Sequence, residues 1–404
     1  MDAKVNQPTA IEEIGIYSDT RDILANARRD AQKRGISDWF IVDVDAHHME
    51  RISRAEVEQH LEDPVVRDQA VRFQKERVGA TPYGLNAALG LRYQDVGGRI
   101  PHQLDLREKI DDKSVHRDVT LTRRAVEGLC LDYIVLFPTP MLQLGMHPQI
   151  DMEVTLGRAY TRWLVETILP ADKRFKSFAY LPFNSPQAAV KMVEDFGDCD
   201  GIIGFCVTSA RYKPVYHNDY MRLYAMLEER GLPIAFHAGY HWNDPSLATI
   251  NRFLGMHALG FVWCNMVHMT HWVLNGIPER FPKLKSLWVE SGLAWVPFLM
   301  QRLDEQYLMR TSEAPLLKRL PSDYMRENCW YSSQPMERTN MKATQLTLEM
   351  INAESQLLYS SDWPHFDFDT PSIVSRLPFL SEQAQRNILG LNAAKLFNLE
   401  VPGR

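Results

Sequence analysis

The feature that most constrains the fold is a set of metal-binding residue types placed where strand-like runs end. Asp45 and His47 close an apolar run near the start of the chain, His237 closes another, and Asp362 closes a third near the end. Residues this far apart in sequence meet only if the fold gathers the carboxyl ends of its strands. A parallel β/α barrel does so, and it places the active site at that face. The clusters therefore predict an α/β fold, a (β/α)8 TIM barrel.

The rest of the chain alternates between short apolar runs and longer amphipathic stretches, the pattern of repeated strand–helix units. Eight such units favour a barrel over an open doubly wound sheet. The predicted strands are Trp39–Asp45, Tyr133–Pro138, Ser177–Leu181, Gly201–Val207, Pro233–His237, Ser286–Glu290, Cys329–Ser332 and Leu357–Ser361.

We expect a single barrel domain over residues 38–398, with an N-terminal arm over residues 1–37 and a C-terminal tail over residues 399–404. Two stretches exceed the minimal repeat: residues 49–118 after the first strand and residues 239–260 after the fifth. Both insertions would lie over the active-site face. They are either surface elaborations or, as a functional interpretation, a lid or an oligomer contact.

Composition excludes several classes of protein. The net charge of −6, with acidic and basic residues interspersed, argues against a nucleic-acid partner, which would need a basic face. No apolar run approaches the roughly 20 residues that span a bilayer, so no membrane association is expected. Five scattered cysteines are typical of thiols in a reducing compartment. The predicted location is cytoplasmic, and a homo-oligomer or a complex with a homologous subunit is expected.

The residue types at the strand ends favour a divalent metal ion. Asp45 and His47 are two positions apart, so on a strand they face the same side. Together with His237 and Asp362 they offer two imidazoles, two carboxylates and no thiolate. This set suits zinc, manganese or iron better than it suits a closed structural zinc site. An open coordination position would hold a water molecule and lower its pKa towards ~7.

These same stretches resemble the amidohydrolase superfamily, in particular the branch containing aminocarboxymuconate-semialdehyde decarboxylase and the resorcylate-type decarboxylases. The similarity covers about residues 38–398. It is carried by residues 42–47 (VDVDAH), 232–239 (LPIAFHAG), 280–285 (RFPKLK) with 290–292 (ESG), and most specifically by 361–365 (SDWPH). In that family a first-strand pair binds the metal, and here the pair is Asp45 and His47. The resemblance implies that His237 and Asp362 complete the ligand set.

The chain departs from this family at the sixth strand. The decarboxylases usually present a histidine there, whereas this sequence has Glu290. Glu290 would act as a general base, serve as an additional metal ligand, or form only a structural ion pair. If Glu290 and a further histidine such as His241 join the ligands, the site holds two metals. The resemblance then leans towards superfamily members with a dinuclear iron or iron–manganese centre that hydroxylate with oxygen.

The expected substrate is a small organic acid. Arg92 and Arg99 in the first insertion are candidate contacts for its negative charge, and His365 is a third candidate. Asp362, Glu290 and His241 are the candidate catalytic residues. The favoured interpretation is a metal-dependent hydrolase or non-oxidative decarboxylase. A dinuclear oxygenase and a catalytically silent subunit of a homologous complex are the alternatives.

Overall fold

Eight parallel strands lie side by side in the order in which they occur along the chain, as the computed structural model shows. The model describes residues 20–48, 53–68, 70, 110–208, 213–237, 239 and 244–403. The strands are β1 (Val42–His48), β2 (Tyr133–Pro138), β3 (Phe175–Tyr180), β4 (Ile202–Val207), β5 (Ile234–His237), β6 (Ser286–Val289), β7 (Cys329–Ser332) and β8 (Leu357–Leu358). The sheet is the eight-stranded parallel sheet that the sequence predicts.

The sheet closes between its last strand and its first. The Val44 N–H donates to the Tyr359 carbonyl over 3.0 Å, and beyond the end of β8 the Asp362 N–H donates to the Asp45 carbonyl over 2.7 Å. A parallel bridge pairs Ala46 with Trp363. With β8 thus joined to β1, the fold is a (β/α)8 barrel, as predicted.

The barrel interior below the strand ends is apolar. One cluster of buried side chains takes at least one residue from every strand: Val42, Val44, Val135, Phe137, Phe178, Cys206, Ala235, Leu287, Val289, Trp330 and Leu358. Ala393 and Phe397 from the last helix complete this cluster. A second, larger cluster fills the layer between the strands and the helices around them. Filling of the interior by side chains makes the barrel a packed core, which leaves only its mouth for chemistry.

Helices surround the barrel, and several of them begin at a side chain that caps the first turn. Ser185 accepts a hydrogen bond from the Ala188 N–H, and Asn340 accepts one from the Ala343 N–H. The helices are α1 (Thr20–Lys33), α2 (Arg54–Gln59), α3 (Arg117–Gly128), α4 (Ile150–Trp163), α5 (Pro186–Phe196), α6 (Met221–Arg230), α7 (Phe253–Leu274), α8 (Ile277–Arg280), α9 (Trp295–Met309), α10 (Pro321–Glu327), α11 (Met341–Met350), α12 (Ala353–Gln356), α13 (Ser372–Ser375), α14 (Glu382–Arg386) and α15 (Asn392–Phe397). Two short π-helical segments, Leu164–Ile168 and Asn387–Leu391, adjoin α4 and α15.

The stretches that exceed the minimal repeat contain more helix than the sequence predicts. The prediction that residues 239–260 form a long loop is wrong for the second half of this stretch, because α7 begins at Phe253. This helix runs for 22 residues without an acidic residue, lysine or arginine, and its weak amphipathic pattern hides its start. Within the predicted insertion, α2 packs against α4, and Val57 of α2 belongs to the larger buried cluster. The division into arm, barrel and tail, and a lid over residues 49–118, stay predictions.

The N-terminal arm contributes helix α1 to the outer layer. Its buried residues include Ile23, Leu24 and Ala27, and α1 packs on α3, where Leu24 lies against Gly128. Among the described residues, no helix is both long enough and apolar enough to cross a membrane.

Candidate metal centre

Five predicted ligands converge at the mouth of the barrel. The Nε2 atoms of His47 and His237 are 3.3 Å apart, and they lie 3.3 Å and 3.2 Å from Oδ1 of Asp45. Oδ1 of Asp362 lies 3.2 Å from Nε2 of His47, and Oε2 of Glu290 lies 3.4 Å from Nε2 of His237. All five residues are buried. The strands thus bring together Asp45, His47, His237, Glu290 and Asp362, which we call the donor cluster.

A bulge in β1 aims its two ligands into the mouth. Val42 and Val44 point into the barrel interior, whereas Ala46 belongs to the layer outside it. The pairing of β1 with β2 is irregular between Asp43 and Ala46. An extra residue in a strand reverses which side chains face which side beyond it. Asp45 and His47 consequently face the same space as the two valines that precede them.

Two of the carboxylates are held on left-handed backbone. Glu290 has a φ of 50° and Asp362 a φ of 58°. Such conformations cost a non-glycine residue about 1–3 kcal/mol and concentrate at functional sites. The Ser332 hydroxyl accepts the Glu290 N–H over 3.0 Å, and the Asp45 carbonyl accepts the Asp362 N–H over 2.7 Å. Each strained residue is therefore held by a hydrogen bond to a neighbouring strand.

The side-chain amide of Asn265 supports the ends of β5 and β6, which carry His237 and Glu290. Asn265 of α7 is fully buried, and its Nδ2 donates to the carbonyls of Phe236 and Val289 over 3.2 Å and 3.1 Å. These carbonyls belong to the residues directly before His237 and Glu290. A single side chain thus connects the two strand ends that carry these ligands.

Close contacts within the donor cluster change the pKa values of its histidines and aspartates. Burial lowers the pKa of His47, but hydrogen bonds with Asp362 and Asp45 raise it to about 10. Burial alone would raise the pKa of Asp362, yet His365 and His47 hold it below its usual value. Burial would also raise the pKa of Asp45, but interactions with His237 and His47 outweigh burial and lower this pKa. The charged forms of Asp45 and Asp362 are therefore stabilised by positive charge on the neighbouring histidines.

Glu290 differs from the other two carboxylates of the donor cluster. Burial, followed by the like charges of Asp362 and Asp45, raises its pKa well above the usual value. The carboxyl group of Glu290 therefore favours its protonated form. Pairs of carboxylates whose pKa values are driven apart are typical of sites where one group carries a proton and the other stays charged.

His365 lies beside the donor cluster. Its Nδ1 is 2.7 Å from Oδ1 of Asp362, its Nε2 is 3.2 Å from the Thr139 hydroxyl, and its ring stacks on His47 with centroids 4.2 Å apart. A hydrogen bond of this kind orients a metal-binding carboxylate. Substrate binding by His365 stays a prediction.

The donor cluster fits a divalent metal ion. Oδ2 of Asp45 and Oδ2 of Asp362 are buried and have no hydrogen-bond partner among the described residues. Buried carboxylate oxygens normally have one. Potential ligand atoms fall into two overlapping groups, Asp45, His47, His237 and Glu290, and His47, Glu290, Asp362 and His365, each within 4.8 Å. Nε2 of His47 lies close to both sets, 3.3 Å from Oδ1 of Asp45 and 3.2 Å from Oδ1 of Asp362.

Not every predicted site residue is described by the structure, and some supporting residues were not predicted. His241, Arg92 and Arg99 lie outside the described residues, so their roles stay predictions. Several buried residues that support the candidate ligands were not predicted from the sequence: Asp43, Ser332, Ser361 and Asn265. The only local signal was the acidic residue two positions before Asp45.

Comparison with known proteins agrees with this geometry. The sequence profile of the amidohydrolase family matches residues 124–399, more than half of the chain. The chain belongs to the amidohydrolase family. It is therefore an enzyme, as predicted, and the expected similarity to the resorcylate-type branch is confirmed by its relatives. One of these is the gamma-resorcylate decarboxylase of Polaromonas sp., 25% identical over 258 residues, which are 60% of this chain and 76% of the relative.

Solved structures share the fold of this amidohydrolase. The 5-carboxyvanillate decarboxylase of Sphingomonas paucimobilis superimposes with a TM-score of 0.63 at 18% identity, covering 90% of this chain and all of the other. A dihydroxybenzoic acid decarboxylase from Polaromonas sp., solved with manganese and the inhibitor 2-nitroresorcinol, has a TM-score of 0.60 at 18% identity, covering 89% and 97%. The bound manganese in that relative and the donor cluster here support a divalent metal.

Proposed function

We propose that this amidohydrolase is a metal-dependent, non-oxidative decarboxylase of a small aromatic carboxylic acid. The observation that carries the proposal is the buried carboxyl group of Glu290, whose Oε2 lies 3.4 Å from Nε2 of His237 and whose pKa is raised by burial and by the like charges of Asp362 and Asp45. A decarboxylase of this type must deliver a proton to carbon, and Glu290 occupies the strand end where the family resemblance implies a histidine. The names of its relatives, which are decarboxylases of hydroxylated aromatic acids, support the same conclusion.

Asp45, His47, His237 and Asp362 would hold the metal, and manganese is the ion that we expect. When bound, the metal supplies Lewis-acid chemistry that binds oxygen atoms of the substrate and stabilises developing negative charge. His365 keeps Asp362 oriented through its 2.7 Å contact. Phe137, whose ring centroid lies 4.7 Å from that of His237, forms an apolar floor that excludes water beneath the site.

Glu290 would carry the proton of the reaction. Its carboxyl group donates a proton to the ring carbon that bears the substrate carboxylate. The bond between that carbon and the carboxylate then breaks, its electron pair returns to the ring, and carbon dioxide leaves. Glu290 regains a proton from solvent, so the net reaction consumes one proton and releases one carbon dioxide. Burial is the largest cause of the raised pKa of Glu290.

An aromatic substrate suits the aromatic side chains that adjoin His365. Phe366, directly after His365, packs with Phe253 and His257, with ring centroids 6.2 Å and 5.2 Å apart. Nε2 of His257 lies 3.9 Å from Oδ2 of Asp367, which places polar groups beside these rings. Flat apolar surfaces with a few polar groups are typical of sites for small aromatic ligands.

The test is turnover by the manganese-loaded protein of a panel of hydroxybenzoates that includes 2,6-dihydroxybenzoate, followed as carbon dioxide release. We expect one metal per chain and a Glu290→Gln variant that keeps its metal while turnover falls by about 10²–10⁴-fold, the usual contribution of a general acid. Glu290→Asp, which keeps a carboxyl group, should retain more turnover than Glu290→Gln. Two metals per chain with oxygen-dependent hydroxylation of the substrate would replace the proposal with the dinuclear oxygenase. Loss of metal from Glu290→Gln would make Glu290 a ligand rather than the proton donor.

A further inference from the structure

Asp43 is a buried carboxylate beside the donor cluster that is not one of its members. It lies on β1, two residues before Asp45, and none of its surface is exposed. Its Oδ1 accepts the N–H of Asp45 over 3.2 Å and the N–H of Ser361 over 2.8 Å. Its Oδ2 accepts the Ser361 hydroxyl. One side chain therefore joins two chain segments that are 318 residues apart.

The first of these segments is the bulge of β1. Regular alternation from Val42 and Val44 would turn Asp45 and His47 towards the helices and Ala46 into the barrel. The opposite is observed, because the strand is irregular between Asp43 and Ala46. A bulge leaves a backbone N–H without its ladder partner. The carboxylate of Asp43 accepts the Asp45 N–H within this irregular stretch and so stabilises the bulge.

The second segment is the turn that carries Asp362. The Ser361 hydroxyl donates to Asp43 and itself accepts the Trp363 N–H over 3.0 Å. Asp362 lies between these two residues with a φ of 58°. Asp43 therefore fixes both ends of the turn, one directly and one through the Ser361 hydroxyl. β8 ends at Leu358. Beyond this residue, the hydrogen bonds between Asp43 and Ser361 add to the main-chain bonds that join the turn to β1.

We propose that Asp43 is a positioning residue that sets Asp45, His47 and Asp362 in register for metal binding. The proposal rests on the metal centre of the proposed function. A carboxylate suits this position because all three of its partners donate. An asparagine would keep an acceptor for the two N–H groups but would present an N–H to the Ser361 hydroxyl.

The test compares manganese affinity with stability in three variants. Asp43→Asn and Ser361→Ala each remove the hydrogen bond that the Ser361 hydroxyl donates to the Asp43 carboxylate. Glu153→Gln is the matched control, because Glu153 is also a fully buried carboxyl group with side-chain hydrogen bonds, from Tyr180 and Asn184, outside the donor cluster. The dissociation constant for Mn²⁺ is measured by chelator competition. The unfolding of each metal-free protein in urea reports its stability.

We expect Asp43→Asn and Ser361→Ala to weaken Mn²⁺ binding by about 10–100-fold, as losses of groups that orient metal ligands do. Glu153→Gln should bind Mn²⁺ like the wild type even where it unfolds at lower urea. Wild-type affinity in folded Asp43→Asn and Ser361→Ala would overturn the positioning role and leave the metal centre intact. A wild-type protein that binds no Mn²⁺ would overturn both. If Asp43→Asn does not fold, the affinity of Ser361→Ala decides the question alone.

Discussion

The two halves of the donor cluster are built in different ways. His237 and Glu290 follow β5 and β6, whose pairing is regular over four residue pairs up to His237 and Val289. Asp45, His47 and Asp362 lie at the seam between β1 and β8, where β8 has only two residues and main-chain bonds alternate with bonds to Asp43. The regular β5–β6 ladder fixes the first half, whereas the second depends on a few main-chain bonds together with the side chain of Asp43. The seam is consequently the half whose geometry depends most on individual residues.

The largest effect is expected when a donor is removed from either half. His237→Ala and Asp362→Ala should each lose Mn²⁺ affinity by about 10²–10³-fold, because breaking a buried charged contact costs about 3–5 kcal/mol. Chelator competition and carbon dioxide release measure the two losses. Equal losses in both variants would show one centre shared by the two halves. A variant that keeps both its metal and its turnover would remove that residue from the ligand set.

The regular strands around His237 could be predicted from the sequence, whereas the irregular seam between β1 and β8 could not. The strand ends at His237 and Cys329–Ser332 agree with the predicted strands, because a short apolar run encodes a regular strand locally. The convergence of the candidate ligands at the mouth of the barrel was predictable for the same reason. The bulge was not, since the Asp43 carboxylate that accepts the Asp45 N–H also accepts the N–H and hydroxyl of Ser361, far away in the chain. The left-handed backbone of Glu290 and its raised pKa depend equally on neighbours that only the fold supplies.

An intermediate effect is expected from Asn265, the side chain that supports the regular half. Asn265→Leu removes the donor of the Phe236 and Val289 carbonyls and should lower the free energy of unfolding by about 1–3 kcal/mol, the cost of buried acceptors left unpaired. The β5–β6 ladder persists without this amide, so Mn²⁺ affinity should change by no more than about threefold, which is under 1 kcal/mol. Urea unfolding and chelator competition separate the two quantities. A loss of affinity as large as that of Asp43→Asn would abolish the distinction between the halves.

The smallest effect on metal binding is expected at Glu153, and its effect on stability should depend on pH. Burial raises the pKa of Glu153 to about 7 in the folded protein, although hydrogen bonds from Asn184 and Tyr180 oppose the change. The folded state therefore holds a proton that the unfolded state releases above a pH of about 4.5. The resulting stabilisation is fully present at lower pH and is lost as pH rises through 7. Over that range it amounts to about 3 kcal/mol, at about 1.4 kcal/mol per pKa unit.

Glu153→Gln should remove this contribution, because the amide does not titrate. Urea unfolding of the metal-free proteins at pH 5 and at pH 8 measures it as the difference between the wild type and the variant. Subtracting the variant cancels the other buried carboxyl groups, such as Asp369, whose pKa is also raised to about 7 by burial. Parallel pH profiles for the two proteins would contradict the prediction. Because Glu153 lies outside the donor cluster, a changed Mn²⁺ affinity in this variant would mean that buried carboxyl groups affect the metal through the fold as a whole, and the seam would lose its special role.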